Sequence, residues 1–238
     1  MRVLLIVSIL FFTAAFSEPE VHPGSVTSTS DYLKDIKEAL TKQWPGNRTI
    51  NLVFHGHSVP AGYFKTPQVN TFDSYPFQVL RKLKEKYPYA VINVINTSIG
   101  GETSVSGQKR FEKEVLTHKP DVLFIDYALN DRRVGLNESR KAWEKMIKRA
   151  KRDGIKVILL TPSPDMGVDI SIPDNELDKH AKQIRELSEK YDIGLADSYS
   201  RFRQLNADCN CLGDYMSQIN HPNEKGHWVI ASELIKYF

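Results

Sequence analysis

The chain has 238 residues, 41% hydrophobic, 26% charged and 10% aromatic, with 32 Lys and Arg against 29 Asp and Glu. This mixture excludes a disordered tail, a collagen-like repeat and a coiled coil, and a formal charge of +3 spread over interleaved residues gives no basic stripe for nucleic acid. Two cysteines cannot staple a domain of this size, so its core must rest on packing.

The first element is Arg2 followed by an apolar run over residues 3–12, with small residues Ala15 and Ser17 placed for a cut after Ser17. Residues 1–17 therefore read as a signal peptide. The run is too short to span a bilayer, so a secreted or periplasmic protein without stable membrane insertion is expected. Residues 18–48 read as a lead-in segment, extended and rich in Ser, Thr, Pro and Gly up to Ser30. Residues 49–238 read as one domain.

Within that domain short β-branched runs alternate with amphipathic stretches. The runs at 49–54, 90–95, 121–125, 155–160 and 193–196 predict strands. Apolar residues recur at helical spacing over 74–87, 105–116, 138–152 and 175–191, and a last helix is expected from Pro222 to the C-terminus. Alternation of this kind builds βαβ units. The expected fold is α/β, a three-layer α/β/α sandwich with a parallel five-stranded sheet and flavodoxin-like topology. Ligands in such sheets bind where strands end at their carboxyl edge.

The strand ends carry polar blocks. The first strand runs into His55-Gly56-His57-Ser58, where Ser58 is either a presented nucleophile or an N-cap. The second runs into Asn96-Thr97-Ser98-Ile99-Gly100-Gly101, whose glycines allow close backbone approach or form a simple turn. The third ends near Asn130-Asp131, an amide donor for an oxyanion or a turn-forming pair. Close to the C-terminus, His221 precedes Pro222 on a loop.

In this order the four blocks resemble those of the SGNH hydrolases, the GDSL esterase/lipase family, over residues 51–238. The resemblance implies Ser58 as nucleophile and His221 as general base. It also implies an oxyanion hole built from the backbone N–H groups of Ser58 and Gly101 with the Asn130 amide. The implied reaction is carboxylic-ester hydrolysis through an acyl-enzyme, with no cofactor. Three positions depart from the pattern. His57 stands where the family has Asp, Ala128 stands where it has Gly, and Gln218 occupies the place of the acid three residues before the histidine. A backbone carbonyl or the Gln218 oxygen could orient His221, Asp214 could supply the charge, or the chain could bind without hydrolysing.

Other features weigh less. His55 and His57 have same-side spacing for a metal, but no neighbouring acid or Cys completes a site, so none is expected. Cys209-Asn210-Cys211 permits either a disulfide or two free thiols. Glycosylation sequons begin at Asn47, Asn96 and Asn137, and the one at Asn96 lies against the site and reads as chance. The partly polar stretches 63–66 and 164–169 should form the cleft rim. They favour short acyl (acetyl) groups on a carbohydrate, so the expected partner is an ester substrate such as an acylated glycan. The alternatives are a lysophospholipase or thioesterase, or a non-catalytic carbohydrate- or lipid-binding relative on the same fold. A nucleotide binder is disfavoured because no Gly-rich phosphate loop opens a helix.

Overall fold

The computed structural model describes residues 29–238; the expected signal peptide lies outside the described residues. In chain order the elements are α1 (Thr29–Tyr32), α2 (Lys34–Thr41), β1 (Thr49–Gly56), α3 (Ser58–Ala61), α4 (Tyr75–Lys86), β2 (Val91–Asn96), α5 (Ser104–Glu114) and β3 (Val122–Asp126). They continue with α6 (Gly135–Arg152), β4 (Lys156–Leu160), α7 (Glu176–Tyr191), β5 (Gly194–Ala196), α8 (Ser198–Cys209), β6 (Met216–Gln218), β7 (His221–Pro222) and α9 (Glu224–Ile235). The first five strands form one parallel sheet in the order β2-β1-β3-β4-β5. The strand order reverses between β1 and β3, and that switch point opens a crevice at their carboxyl ends.

The central strands are apolar on both faces because helices cover both. Successive side chains point to opposite sides. Leu52 and Phe54 on β1, Val122 and Phe124 on β3, and Ile158 and Leu160 on β4 face a core shared with α2, α4, α8 and α9. Val53, Leu123, Ile125, Val157 and Leu159 face the other core, built with α5, α6 and α7. Besides the single turns α1 and α3, two helices, α2 and α8, were not expected from the sequence. In the segment read as a lead-in, Leu33, Ile36 and Leu40 are buried in the first core, so packed structure begins before residue 49. Helix α8 buries only Ser198, Tyr199 and Phe202, too few to give a strong periodic signal. Cys209 and Cys211 are joined by a disulfide at its C-terminus.

Two buried histidines tie this core to pH. His55 on β1 and His227 on α9 have no exposed surface, and burial holds each pKa down at about 3. Both are neutral in the folded state, whereas the unfolded chain takes up a proton near pH 6.5. Below 6.5 the unfolded state binds more protons, so their stabilisation is complete above that value and is lost as pH falls toward 3. Lowering the pH from 7 to 5 should therefore remove about 2 kcal/mol per histidine from the unfolding free energy. Urea unfolding at the two pH values measures this; equal midpoints would contradict it.

Candidate active site

The site is assembled at the switch point. Gly56 ends β1 beside Asp126 at the end of β3, and a β-carbon there would stand 2.4 Å from the Asp126 carbonyl oxygen and 2.7 Å from the Pro60 ring. Only glycine lets the chain turn so tightly into α3. His57 caps that helix, its Nδ1 accepting from the Val59 N–H at 3.2 Å. Nδ1 therefore carries no proton in the neutral ring, and Nε2–H faces Asp126 Oδ1 at 3.4 Å, a long contact. The Asp126 carboxylate is held from its other oxygen by the Tyr75 hydroxyl at 3.0 Å. The family's Asp position thus carries a capping imidazole backed by a buried carboxylate.

Ser58 opens α3 as a buried residue, and its Oγ lies 2.9 Å from His221 Nε2. The other ring nitrogen, Nδ1, lies 3.0 Å from the Phe64 carbonyl oxygen. A carbonyl can only accept, so Nδ1 carries the hydrogen and Nε2 presents its lone pair to the Ser58 hydroxyl. This is the tautomer a general base requires. Burial lowers the His221 pKa below the usual imidazole value, and the Phe64 hydrogen bond partly offsets that.

The two side chains considered for the acid's role do something else. Asp214 is exposed, and its backbone oxygen accepts from Asn223 Nδ2. Gln218 does not orient His221, whose Nδ1 is already taken; its Oε1 accepts from the Thr66 N–H at 2.9 Å and its Nε2 donates to Asn220 Oδ1 at 3.2 Å. The orienting group is a main-chain atom, which no side-chain signal in the sequence reveals. Phe64 follows Ser58 by six residues, through a tight loop in which Tyr63 N–H returns to the Ser58 carbonyl and Asn70 N–H to the Gly62 carbonyl.

The loops after β2 and β3 are bonded to each other. Gly101 adopts φ 79°, a left-handed conformation that favours glycine, and its carbonyl accepts from Arg133. Asn130 Nδ2 donates one hydrogen to the Glu102 carbonyl at 2.8 Å, which leaves the amide a second N–H. Among the described residues, the backbone N–H groups of Ser58 and Gly101 have no partner. The rim is drawn from several loops. Tyr63 lies 6.1 Å, ring to ring, from His221, while Phe64 turns inward onto His227. The loop after β4 is fastened by Arg132 to Asp165 at 2.5 Å and by the Met166 N–H to the Ile219 carbonyl at 2.6 Å.

His55 and His57 are held by protein partners, His55 by Thr97 Oγ1 at 3.0 Å and the Tyr127 hydroxyl at 3.1 Å. Asn96 Nδ2 is likewise engaged, with the Pro60 carbonyl at 2.5 Å. A cavity of about 840 Å³ lies elsewhere, between α4, α8 and α9, lined by Arg81, Arg201 and Trp228 among others. It holds no paired nucleophile and base, so convergent chemistry rather than concavity locates the site.

A serine hydrogen-bonded to an oriented imidazole at the switch point of a five-stranded α/β/α sheet has the geometry that nucleophilic ester hydrolysis requires. The family model for the GDSL-like Lipase/Acylhydrolase family matches residues 54–229, and the chain belongs to that family of ester hydrolases. An acetylxylan esterase from Geobacillus stearothermophilus is 22% identical over 68% of this chain and 79% of its own length. Uncharacterized lipoprotein YqeF of Bacillus subtilis is 33% identical over 31% of this chain and 33% of its own. Among solved structures, the same Geobacillus acetylxylan esterase superimposes with a TM-score of 0.69 at 21% identity, covering 79% of this chain and 93% of that one. A two-domain esterase active on acetylated mannans gives 0.70 at 20% identity over 87% of this chain, which spans about half (52%) of its length. Among the described residues no helix is long and apolar enough to cross a membrane.

Proposed function

We propose that the protein is an exported carbohydrate esterase that removes short acyl groups, acetyl foremost, through a Ser58–His221 dyad and an acyl-enzyme. The observation that carries this reading is the chain of contacts from Ser58 Oγ to His221 Nε2 and from Nδ1 to the Phe64 carbonyl. Ser58 Oγ attacks the ester carbon as its proton passes to Nε2, and the carbonyl electron pair moves onto oxygen. The Ser58 and Gly101 N–H groups and the second Asn130 N–H receive that oxyanion. Its collapse breaks the bond to the sugar oxygen, which leaves with the proton from Nε2. Water then attacks the acyl-enzyme by the same route, giving the free acid and restoring Ser58. Phe64 supplies orientation without the full negative charge of an acid. The acetyl preference is supported by the substrates named for the two esterase relatives, and export by the leader-like sequence and the lipoprotein relative.

The test is hydrolysis of p-nitrophenyl acetate, butyrate and octanoate, alongside acetate release from acetylated xylan and mannan. Acetyl-selective turnover with acetate released from a glycan is expected. Preference for octanoate points instead to a lipase or lysophospholipase. If no ester is turned over and an organophosphonate leaves Ser58 unlabelled, the protein is a non-catalytic binder.

A further inference from the structure

We propose that Gln218 is a positioning residue that holds the 62–70 loop so that the Phe64 carbonyl can stand in for the missing triad acid; this rests on the Ser58–His221 reading above. A backbone carbonyl on a surface loop is a poor substitute for a carboxylate unless its position is fixed. Residues 65–69 are exposed, and the loop is closed internally by Phe64 N–H to the Gln68 carbonyl at 3.1 Å and Gln68 N–H to the Lys65 carbonyl at 2.7 Å. Those bonds shape the loop but do not tie it to the strand that carries His221.

Two contacts do. Gln218 on β6 accepts the Thr66 N–H at 2.9 Å, two residues beyond Phe64. Gln218 also pairs with His221 in the β6–β7 ribbon, so the latch and the base share one rigid unit. On the inner side the Phe64 ring stacks on His227, with centroids 4.9 Å apart and planes 12° from parallel. His227 is fixed in turn by the Tyr75 N–H, which donates to its Nδ1 at 3.2 Å. The carbonyl is therefore gripped from both sides, by an amide from the base's own ribbon and by a buried ring from α9.

The aspartate that the family carries at this position is one carbon shorter and would serve the imidazole itself. A glutamine there reaches past it and orders the atom that does so. The distinction is measurable because the two roles predict different behaviour for Gln218→Glu. A carboxylate oxygen still accepts the Thr66 N–H, so the latch survives. Gln218→Ala removes it, and the carbonyl is free to drift. Misplacement of such a group by about 1 Å can cost on the order of a hundredfold in rate.

The experiment is the pH dependence of kcat and kcat/KM on p-nitrophenyl acetate for the full chain, Gln218→Ala and Gln218→Glu, with Ser58→Ala as the blank. Gln218→Ala should lower kcat between about ten- and a hundredfold with KM little changed. Its acid limb should also move to lower pH, because the Phe64 bond that raises the His221 pKa is weakened while the burial that lowers it remains. Gln218→Glu should recover most of kcat. If Gln218→Ala keeps the wild-type kcat and acid limb while Ser58→Ala is dead, the latch is wrong and the dyad stands. If Gln218→Glu is as slow as Gln218→Ala at every pH, the latch is also wrong. Should Ser58→Ala match the wild type, the dyad itself fails and Gln218 has nothing to position.

Discussion

His221→Ala and Ser58→Ala should each lower kcat on p-nitrophenyl acetate by about 10³–10⁵, and the double variant should be no slower than either one. Nucleophile and base act as a unit, so removing one disables the other, and losses in related sites reach about 10⁶ when a full triad is intact. The smaller figure here follows from the third member. In a related triad, exchanging the acid for its amide costs about 10⁴, mainly because the imidazole adopts the wrong tautomer. The Phe64 carbonyl avoids that fault, since it can only accept and so keeps the proton on Nδ1. What it lacks is a negative charge to stabilise the imidazolium, so the wild type starts from a lower rate. The His221 pKa is held below its usual value, so the base stays unprotonated to lower pH. The acid limb of kcat/KM is therefore expected below pH 6.5. Ser58 is nearly buried and caps nothing with its side chain, so Ser58→Ala should unfold at the wild-type urea midpoint. A Ser58→Ala variant that keeps more than a tenth of wild-type kcat would sink the assignment.

Much of this architecture was legible in the sequence. The runs of β1, β3 and β4 are buried on both faces, which is why they lack alternation and read as parallel strands, whereas the edge strand β2 has no buried residue. The polar blocks after β1, β2 and β3 stand at the carboxyl ends of those strands, where topology brings them together regardless of their distance in sequence. What stayed hidden has a physical reason in each case. The Phe64 carbonyl is a main-chain atom that any residue would supply, and its placement depends on a loop closed by other main-chain bonds. Gln218 looks like a defect because its sequence position speaks of the imidazole, whereas its side chain is long enough to pass it and reach Thr66. Asp126 falls just past the run at 121–125, and nothing local marks it as the partner of His57 on the neighbouring strand end. Helix α2 spans eight residues with two buried, too short a window for periodicity to stand out.

Asp131 was legible only as half of a turn-forming Asn-Asp pair, yet its substitution should have the largest effect on stability. Its side chain is wholly buried, with Oδ1 accepting the Ser104 N–H at 2.8 Å and Oδ2 accepting the Trp143 indole N–H at 2.7 Å. Burial pushes the carboxyl pKa up, and these two donors pull it partway back. Asp131→Ala strands both donors in a dry interior, at about 1–3 kcal/mol each, so a loss of roughly 3–5 kcal/mol is expected with the small cavity included. Trp143→Phe leaves Ser104 paired and should cost less than Asp131→Ala through the lost indole bond alone. The consequence reaches the site. Asp131 binds the first N–H of α5, while its neighbour Asn130 binds the Glu102 carbonyl two residues earlier, so together they clamp the loop bearing Gly101 against the loop bearing the Asn130 amide. Loosening that clamp separates the proposed oxyanion donors, and kcat should fall between about ten- and a hundredfold even at a temperature where the variant is folded. Urea unfolding and kcat at 15 °C test the two halves independently. A loss of stability under about 1 kcal/mol would show the buried carboxylate to be replaceable, and full activity in a destabilised protein would show that the clamp does not govern the donors.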